Sequence, residues 1–231
     1  MTISLAQAVT VFDAGGVGVN TLTGSKAYGS NVTANNLLVC AINAGQNTAP
    51  QQDPVLTDTL GNSWLLAEAV HGQITSSPGC QWIFYVQKNK ASGANTVTVT
   101  FGTGGEQTFL TFNLYEFADD GGSLGGWAVD QVANALSAST VSATAAKSPS
   151  AAVAATSNWS ARPTGVGAGW TITSNTSGIF TATAHDILTG TGSFQPGFTP
   201  NVTSSDACVA VANFYVAPTS GAFFCMPMMG V

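Results

Sequence analysis

Residues 81–117, QWIFYVQKNKASGANTVTVTFGTGGEQTFLTFNLYEF, decide the fold that this sequence predicts. They contain three successive strand patterns, and the middle one, residues 96–101, alternates Thr with Val or Phe without interruption. A period of two is expected of a strand with one buried and one solvated face. Gly and Asn in residues 88–95 and 102–107 favour turns between the strands, because both residue types accept positive φ. The stretch therefore predicts three consecutive antiparallel strands, a β-meander.

Short strand patterns bounded by polar turns continue on both sides of this stretch. Residues 37–43 form an apolar run, and residues 55–70 contain two strands around a predicted hairpin turn at residues 61–62. The Ala-rich residues 133–156 favour extended structure because Ser, Thr and Val are interspersed, and we expect at most one short helix near residues 131–136. The predicted fold class is all-β, an antiparallel two-layer β-sandwich.

A weak internal repeat of about 100 residues divides the chain. Gly61 and Trp64 open one strand pattern, and Gly167 and Trp170 open another at the same spacing. The period is too long for a solenoid, so we expect two weakly related halves of one sandwich. The predicted parts are an N-terminal strand or arm at residues 1–30, a sandwich at residues 31–217 with halves at roughly 31–118 and 133–217, and an apolar C-terminal tail at residues 218–231.

The composition is unusual in its charge. Charged residues make up 7% of the chain, against about 25% in typical soluble domains. The polar surface must therefore consist of Ser, Thr, Asn, Gln and Gly, which we interpret as a surface that tolerates crowding or contact. With a net charge of −6 and five Lys plus Arg, the chain lacks the basic stripe that nucleic acid or an anionic membrane would need. The first residues lack the basic region of a secretory signal, which predicts synthesis in a cytosol.

Four segments combine apolar strands with Asn-rich or Gly-containing turns: residues 35–39 (NNLLV), 56–64 (LTDTLGNSW), 83–89 (IFYVQKN) and 94–99 (ANTVTV). Together they resemble a jelly-roll-type β-sandwich module found in bacterial extracellular proteins and in bacteriophage virion proteins. The resemblance spans roughly residues 30 to 217 and lies in strands and turns. It therefore implies a jelly-roll-like fold and no catalytic residue.

None of the motifs that resemble catalytic signatures has the context it needs. Residues 121–125 (GGSLG) match the nucleophile-elbow pattern around Ser123, but no helix pattern follows. His71 and His185 each lack a second histidine at metal-ligand spacing, and both are predicted to face solvent. We therefore predict no catalytic residue, no cofactor and no enzymatic activity.

The acidic residues and cysteines favour structural roles. Asp119 and Asp120 could bind Ca²⁺ together with Asp58 or Asp130, but a solvated turn is the favoured interpretation, so no metal is predicted. The cysteines show no paired metal-binding spacing. Those inside apolar strand patterns are expected to behave as small hydrophobic residues, whereas the one in the tail could be exposed. They are Cys40 and Cys208 in the strand patterns, Cys80 near a predicted loop, and Cys225 in the tail.

Two features are candidates for binding. Trp127 and Trp159 lie among Gly, Ser, Asn and Thr, so they are candidates for stacking on sugar rings. Residues 222–231 (AFFCMPMMGV) are apolar and uncharged, and such a segment is explained by packing on the domain or, preferably, by insertion into a partner or a second copy. The candidate docking residues are Phe223, Phe224, Met226, Met228 and Met229.

The leading functional hypothesis is a non-enzymatic structural protein of a bacteriophage-like virion, acting as a capsid decoration, head fibre or tail component. Its partners would be other virion proteins or copies of itself in a homo-oligomer, and its location would be the virion. The hypothesis rests on the weakly charged surface, the apolar tail and the family resemblance. The alternative is a carbohydrate-binding or adhesive module at a cell surface, which would bind a host glycan through Trp127 or Trp159.

Overall fold

The computed structural model describes residues 1–9, 12–13, 23–46, 52–72, 79–102, 107–121, 125–158, 162–175, 181–199 and 207–218. These residues form sixteen β-strands and no helix, and every strand pairing is antiparallel, so the predicted all-β antiparallel fold class is confirmed. The strands are β1 (Ile3–Ala8), β2 (Phe12–Asp13), β3 (Thr23–Ala27), β4 (Leu37–Gln46), β5 (Val55–Asp58), β6 (Leu65–His71), β7 (Gly79–Val86), β8 (Thr96–Thr100), β9 (Gln107–Asp119), β10 (Trp127–Leu136), β11 (Ala143–Ala145), β12 (Ser150–Asn158), β13 (Thr171–Asn175), β14 (Thr181–Leu188), β15 (Gly192–Phe194) and β16 (Ala207–Val216).

The strands form two large sheets and two small ones. The first large sheet has the order β1-β9-β4-β7-β6, with β2 also pairing with β9, and the second has the order β10-β16-β12-β14-β13. The small sheets have the orders β3-β8-β5 and β11-β15. Each half of the chain therefore supplies one large sheet and one small sheet.

Each half has the winding of a jelly roll. In the first half β1 pairs with β9, β3 with β8 and β4 with β7, so the pairs are nested around the connection between β5 and β6. In the second half β10 pairs with β16, β11 with β15 and β12 with β14, nested around β13. This nested antiparallel pairing, divided between two sheets, is the arrangement of a jelly roll.

The strands predicted in residues 81–117 are present as β7, β8 and β9, but the predicted meander is wrong. β8 lies between β3 and β5 in a small sheet, whereas β7 and β9 both flank β4 in the first large sheet. The hairpin predicted around residues 61–62 is also wrong, because β5 pairs with β8 and β6 pairs with β7. Alternation along a strand defines which face is buried, but it does not define which strand is the neighbour.

The two large sheets share two β-bulges as well as their strand order. β1 and β10 each have a register shift, after Leu5 and Val129, and β6 and β13 each have one, after Leu66 and Ile172. Bulges re-aim side chains and are specific local features, so their coincidence indicates that the two halves are structural repeats. The second repeat begins with β10 at Trp127, and β1 is an edge strand of the first large sheet.

The large sheets pack face to face and the small sheets cover their outer faces, which gives four layers. The central core between the large sheets includes Leu37, Tyr115, Trp127 and Phe214, all fully buried. Two outer cores lie between each large sheet and its small sheet. The predicted two-layer sandwich is the central pair of sheets, and the two outer layers were not predicted.

Small side chains let the second large sheet be buried on both faces. All nine residues of β12, SAAVAATSN, are buried between β16 and β14. The extended structure predicted for this Ala-rich region is confirmed there, but the short helix near residues 131–136 is wrong. Those residues belong to β10, which pairs with β16 from Trp127 to Leu136. Pairing with a central strand outweighs the helix propensity of alanine.

Equivalent aromatic residues of the two halves make equivalent contacts across the central core. Tyr85 and His185 occupy equivalent register positions opposite Val39 and Val153. The Tyr85 ring lies 5.2 Å from the Phe214 ring of the other half, and the His185 ring lies 6.4 Å from Phe117, the equivalent of Phe214. Reciprocal contacts of this kind are those of an isologous dimer interface. The two jelly rolls are therefore packed like the subunits of a two-fold dimer.

A carboxylate anchors the loop before the central strand in each half, but it comes from different strands: Glu116 is buried, whereas Asp130 is partly buried. Glu116 on β9 accepts hydrogen bonds from the Thr33 N–H (2.7 Å), the Asn36 amide (2.7 Å) and the Gln7 amide (2.6 Å). In the second half Asp130, at the bulge of β10, accepts hydrogen bonds from other donors. These are the N–H groups of Ala146 (2.8 Å) and Lys147 (2.9 Å) and the Asn213 amide (3.2 Å).

We expect Glu116→Gln to lower the free energy of unfolding by about 1–3 kcal/mol. The new NH₂ group would face the Gln7 amide, which cannot turn over because its Oε1 already accepts the Ser30 N–H (3.1 Å). Exchanging the two residues, as Gln7→Glu with Glu116→Gln, restores an acceptor opposite a donor and should recover most of the loss. Urea unfolding of the three proteins measures the effect, and an unchanged midpoint for the single variant would contradict it.

A tight turn sets the start of β6. Asp58 Oδ1 accepts the Leu60 and Asn62 N–H groups, and its Oδ2 accepts the side chains of Asn62 (2.8 Å) and Trp64 (3.1 Å). Gly61 has φ +66° within this turn, a left-handed conformation that glycine adopts without strain. The turn predicted at residues 61–62 is thus present, and it places the first residue of β6 at the edge of the sheet.

Candidate interaction surface

Trp127, a candidate for glycan stacking, is fully buried in the central core. Its Nε1–H donates to the Asn35 carbonyl (3.2 Å) and its backbone N–H donates to the Gln87 carbonyl (2.8 Å). The prediction that Trp127 is an exposed platform is therefore wrong: the Gly and polar neighbours in sequence belong to connections, whereas the indole packs between the halves. Trp159 and Ser123 lie outside the described residues.

The five predicted docking residues also lie outside the described residues, which end at Pro218 before the apolar segment. What the structure does describe is the last part of the chain before this segment. The Ala217 N–H donates to the Gly126 carbonyl (2.9 Å), directly before β10. The last described residues therefore lie beside the start of β10, the edge strand of the second large sheet.

The carboxylates considered for Ca²⁺ are not brought together. The oxygens of Asp58 and Asp130 accept N–H donors from their own turns and loops, while Asp120 lies beside the Met1 ammonium at 3.9 Å. Within the described ranges, no group of three or more His, Cys, Asp or Glu side chains is placed to hold a metal ion. Cys40 and Cys208 are buried, as expected of small hydrophobic residues, and Cys80, for which no burial was predicted, is buried too.

The two histidines differ in their surroundings. His71 ends β6, and its Nε2 lies 3.0 Å from Asp53 Oδ1, which also accepts the Trp82 Nε1–H (2.7 Å). His185 was predicted to face solvent but is only partly exposed, because its ring packs on Phe117 and Tyr115. Burial lowers the pKa of His185 below its usual value.

The lowered pKa of His185 predicts a pH dependence of stability. Below about pH 6.5 the unfolded chain binds a proton at this residue that the folded chain does not, so the free energy of unfolding should fall as the pH drops through that value. His185→Phe should remove this component while keeping an aromatic ring against Tyr115. Urea unfolding between pH 5 and 8 tests it. An unchanged pH dependence in the variant would show that another group is responsible.

One side of the sandwich leaves an apolar groove open between the two halves. The edge strands β6 and β10 lie next to each other there, and Asn134 donates to Glu68 Oε1 (3.0 Å) across the gap. Leu65, Val132 and Leu136 face the central core by register, yet they are 44, 39 and 44% exposed. We call this groove the seam; its lining residues are Leu65, Ala67 and Glu68 from β6 and Val132, Asn134 and Leu136 from β10.

The repeat provides a comparison for the seam on the opposite side of the sandwich. There β13 carries Thr171, Thr173 and Ser174 at the positions that are Leu65, Ala67 and Glu68 in β6. Ser174 donates to Asn113 Oδ1 (2.7 Å), so this side is closed by polar contacts between the halves. Leu65 therefore has a polar counterpart on this side, whereas the counterpart of Val132 is the apolar Ala8 of β1, so the difference between the two sides lies in β6 and β13.

The backbone edges at the seam are also open. β6 and β10 are the last strands of their sheets, and among the described residues no strand pairs with their outer edges. Soluble proteins usually protect such edges with Lys, Pro or inward charges. Neither strand contains Lys or Pro, and Glu68 and Asp130 are engaged in hydrogen bonds. The seam therefore combines exposed apolar side chains with unpaired backbone groups, which is the pattern of an association site.

A shallow depression joins the seam to the start of the tail. It is lined by Leu65 of the seam and by Gln87, Lys88 and neighbouring residues. Gln87 lies against Gly126, since a Cβ on that glycine would be 3.5 Å from the Gln87 carbonyl oxygen. The Gly126 carbonyl in turn accepts the Ala217 N–H. The surface is therefore continuous from the tail to the seam.

Sequence reasoning did not identify the seam residues. The adjacent pair Leu65 and Leu66 was a usable signal, because two consecutive exposed leucines in a strand place apolar side chains on both faces. Val132 and Leu136 gave no such signal, since their exposure depends on the bulge in β10 and on where β6 ends.

Comparison with known protein families, curated proteins and solved structures found no match to this chain. No helix long and apolar enough to span a membrane occurs in the described part of the chain.

Proposed function

We propose that this protein is a non-enzymatic structural component of a bacteriophage-like virion that associates with copies of itself or with neighbouring virion proteins through the seam. The observation that supports this most is the seam itself, with three exposed apolar side chains beside two strand edges that no described strand pairs with. On the opposite side β13 carries Thr171 and Ser174 where β6 carries Leu65 and Glu68, so the exposed leucine of β6 is explained by a partner. Decoration of a capsid, a head fibre and a tail component are all compatible with this mode of association.

The weakly charged surface supports the same proposal. With 7% charged residues, few charges have to be desolvated when two copies of this chain meet. Dense packing in a particle requires surfaces that meet without a large desolvation cost for buried charges. The resemblance of its strand and turn motifs to virion modules points in the same direction.

We expect the purified protein to self-associate as its concentration rises and Leu65→Asp to weaken that association by about tenfold or more, since about 1.4 kcal/mol corresponds to tenfold and a buried unpaired charge costs at least that. Thr171→Asp is the matched control, because Thr171 is the exposed equivalent of Leu65 on the polar side. Sedimentation velocity of the three proteins measures the effect. A wild-type protein that stays monomeric throughout, or equal effects of both variants, would contradict the proposal.

A further inference from the structure

A segment that binds the seam should be apolar and uncharged, and it should be able to pair with a strand edge. Its exposed lining consists of Leu65, Val132 and Leu136, and the one central polar pair, Glu68 with Asn134, is already hydrogen-bonded. Glu68 is the one charged side chain among these lining residues, and its Oε1 already accepts hydrogen bonds from Asn134 and the Ala69 N–H, so an apolar segment fits the three exposed side chains best.

Residues 222–231 of this chain have that composition. The sequence AFFCMPMMGV contains two Phe and three Met and no charged residue. Methionine side chains are flexible and polarisable, so they adapt to irregular apolar grooves. The rest of the chain, with its frequent Thr, Ser and Asn, has no second uncharged segment so rich in large apolar residues outside its described strands.

The tail also starts close enough to reach the seam. Ala217 is held beside Trp127, and Val132 lies five residues further along β10, about 17 Å away at the usual rise of a strand. Cys225 is eight residues beyond Ala217, a span of up to ~27 Å for an extended chain. The depression lined by Leu65 and Gln87 provides a continuous surface between the two places.

We infer that residues 222–231 occupy the seam. The segment lies along the outer edges of β6 and β10, with Phe and Met side chains against Leu65, Val132 and Leu136. This assignment rests on the proposed function in that both use the seam as a binding surface. It goes further by naming the partner as this chain's own tail, donated by a second copy or folded back on the same copy.

A thiol placed in the seam tests the assignment in the full-length chain. Val132→Cys adds a cysteine to the groove, and Cys225 of the tail supplies the second thiol for a disulfide under mild copper-phenanthroline oxidation. The other three cysteines, Cys40, Cys80 and Cys208, are buried in the cores, and burial raises the pKa of Cys80 to about 12, so they do not compete. Val55→Cys is the control, because Val55 is 64% exposed on a small sheet away from the seam.

We expect the disulfide between the introduced cysteine and Cys225, identified by peptide mapping, to form at least tenfold faster in Val132→Cys than in Val55→Cys. Non-reducing electrophoresis then separates a tail donated by a second copy, which gives a covalent dimer, from one folded back, which gives a covalent monomer; either supports the assignment. Equal rates, or no disulfide in either variant, would overturn it. Leu65→Cys provides a second position in the seam in case Val132→Cys does not fold.

The test separates this inference from the proposed function. If the disulfide does not form but sedimentation still shows Leu65-dependent association, the seam binds another surface and only the tail assignment fails. If the disulfide forms within single monomers that do not associate, the tail assignment holds and the association proposal fails.

Discussion

Gly79→Ala should lower the free energy of unfolding by about 3 kcal/mol or more, because it forces apart the two halves of the molecule. Gly79 begins β7 at the central interface, where its carbonyl accepts the Cys208 thiol (3.0 Å). A Cβ at this position would lie 1.7 Å from Ser157 Oγ and 2.7 Å from Ser157 Cβ. The hydroxyl can rotate away, but the second distance requires the sheets themselves to move. Urea unfolding measures the loss.

Two further variants test the cause of that loss. Gly190→Ala should change the stability by no more than about 0.5 kcal/mol, since nothing lies within 4 Å of its Cβ. Combining Gly79→Ala with Ser157→Gly removes the clashing side chain and should recover part of the stability, although the Gln81 amide then loses its hydrogen bond to Ser157 (2.7 Å). A single variant as stable as the wild type would show that the large sheets are not packed this closely.

Trp127→Ala should lower the free energy of unfolding by about 3–5 kcal/mol, the usual range for a fully buried aromatic residue. The indole fills the central core and also ties β10 to the first half through the Asn35 carbonyl. The loss should therefore weaken the packing between the two jelly rolls as well as β10 itself. Thermal and urea unfolding both report it, and intrinsic tryptophan fluorescence should lose the contribution of one buried indole while the buried Trp82 and Trp170 keep theirs.

Conservative and surface variants separate packing from hydrogen bonding at this site. Trp127→Phe keeps an aromatic ring but removes the Nε1–H. It should therefore lower the free energy of unfolding less than Trp127→Ala does, and the difference between the two variants measures the packing that the phenyl ring retains. Val55→Ala, at a residue that is 64% exposed, should be nearly neutral. If Trp127→Ala proved as mild as Val55→Ala, Trp127 would be exposed and the glycan-stacking hypothesis would return.

The strands of this protein can be predicted from its sequence, but their partners cannot. Thr96 to Thr100 alternate so regularly that β8 was identified with one face buried, and Val97 and Val99 are indeed fully buried. The pattern does not predict that β8 pairs with β3 and β5 in a small sheet instead of with β7 and β9. Both pairings bury the same face of the strand, so alternation cannot distinguish them. The anchors Trp64 and Trp170 did locate the repeat, since each directly precedes the equivalent strands β6 and β13.

The candidate sites were harder to predict for a related reason. Whether Trp127 is exposed depends on the second large sheet packing against the first, a contact between residues about 90 positions apart in sequence, such as Trp127 and Asn35. The exposure of Leu136 likewise depends on the position of the opposite edge strand. The polar and Gly-rich sequence around these residues indicates nearby loops. Whether the side chains themselves are buried depends on how the two halves pack.

Hydrogen–deuterium exchange of the protein below and above the concentration at which it associates tests the central claim most directly. The claim predicts that backbone amides of β6 and β10 become protected on association, while those of β13, at the equivalent polar side, keep their exchange rates. Protection confined to β13, or spread equally over both sides, would contradict association through the seam.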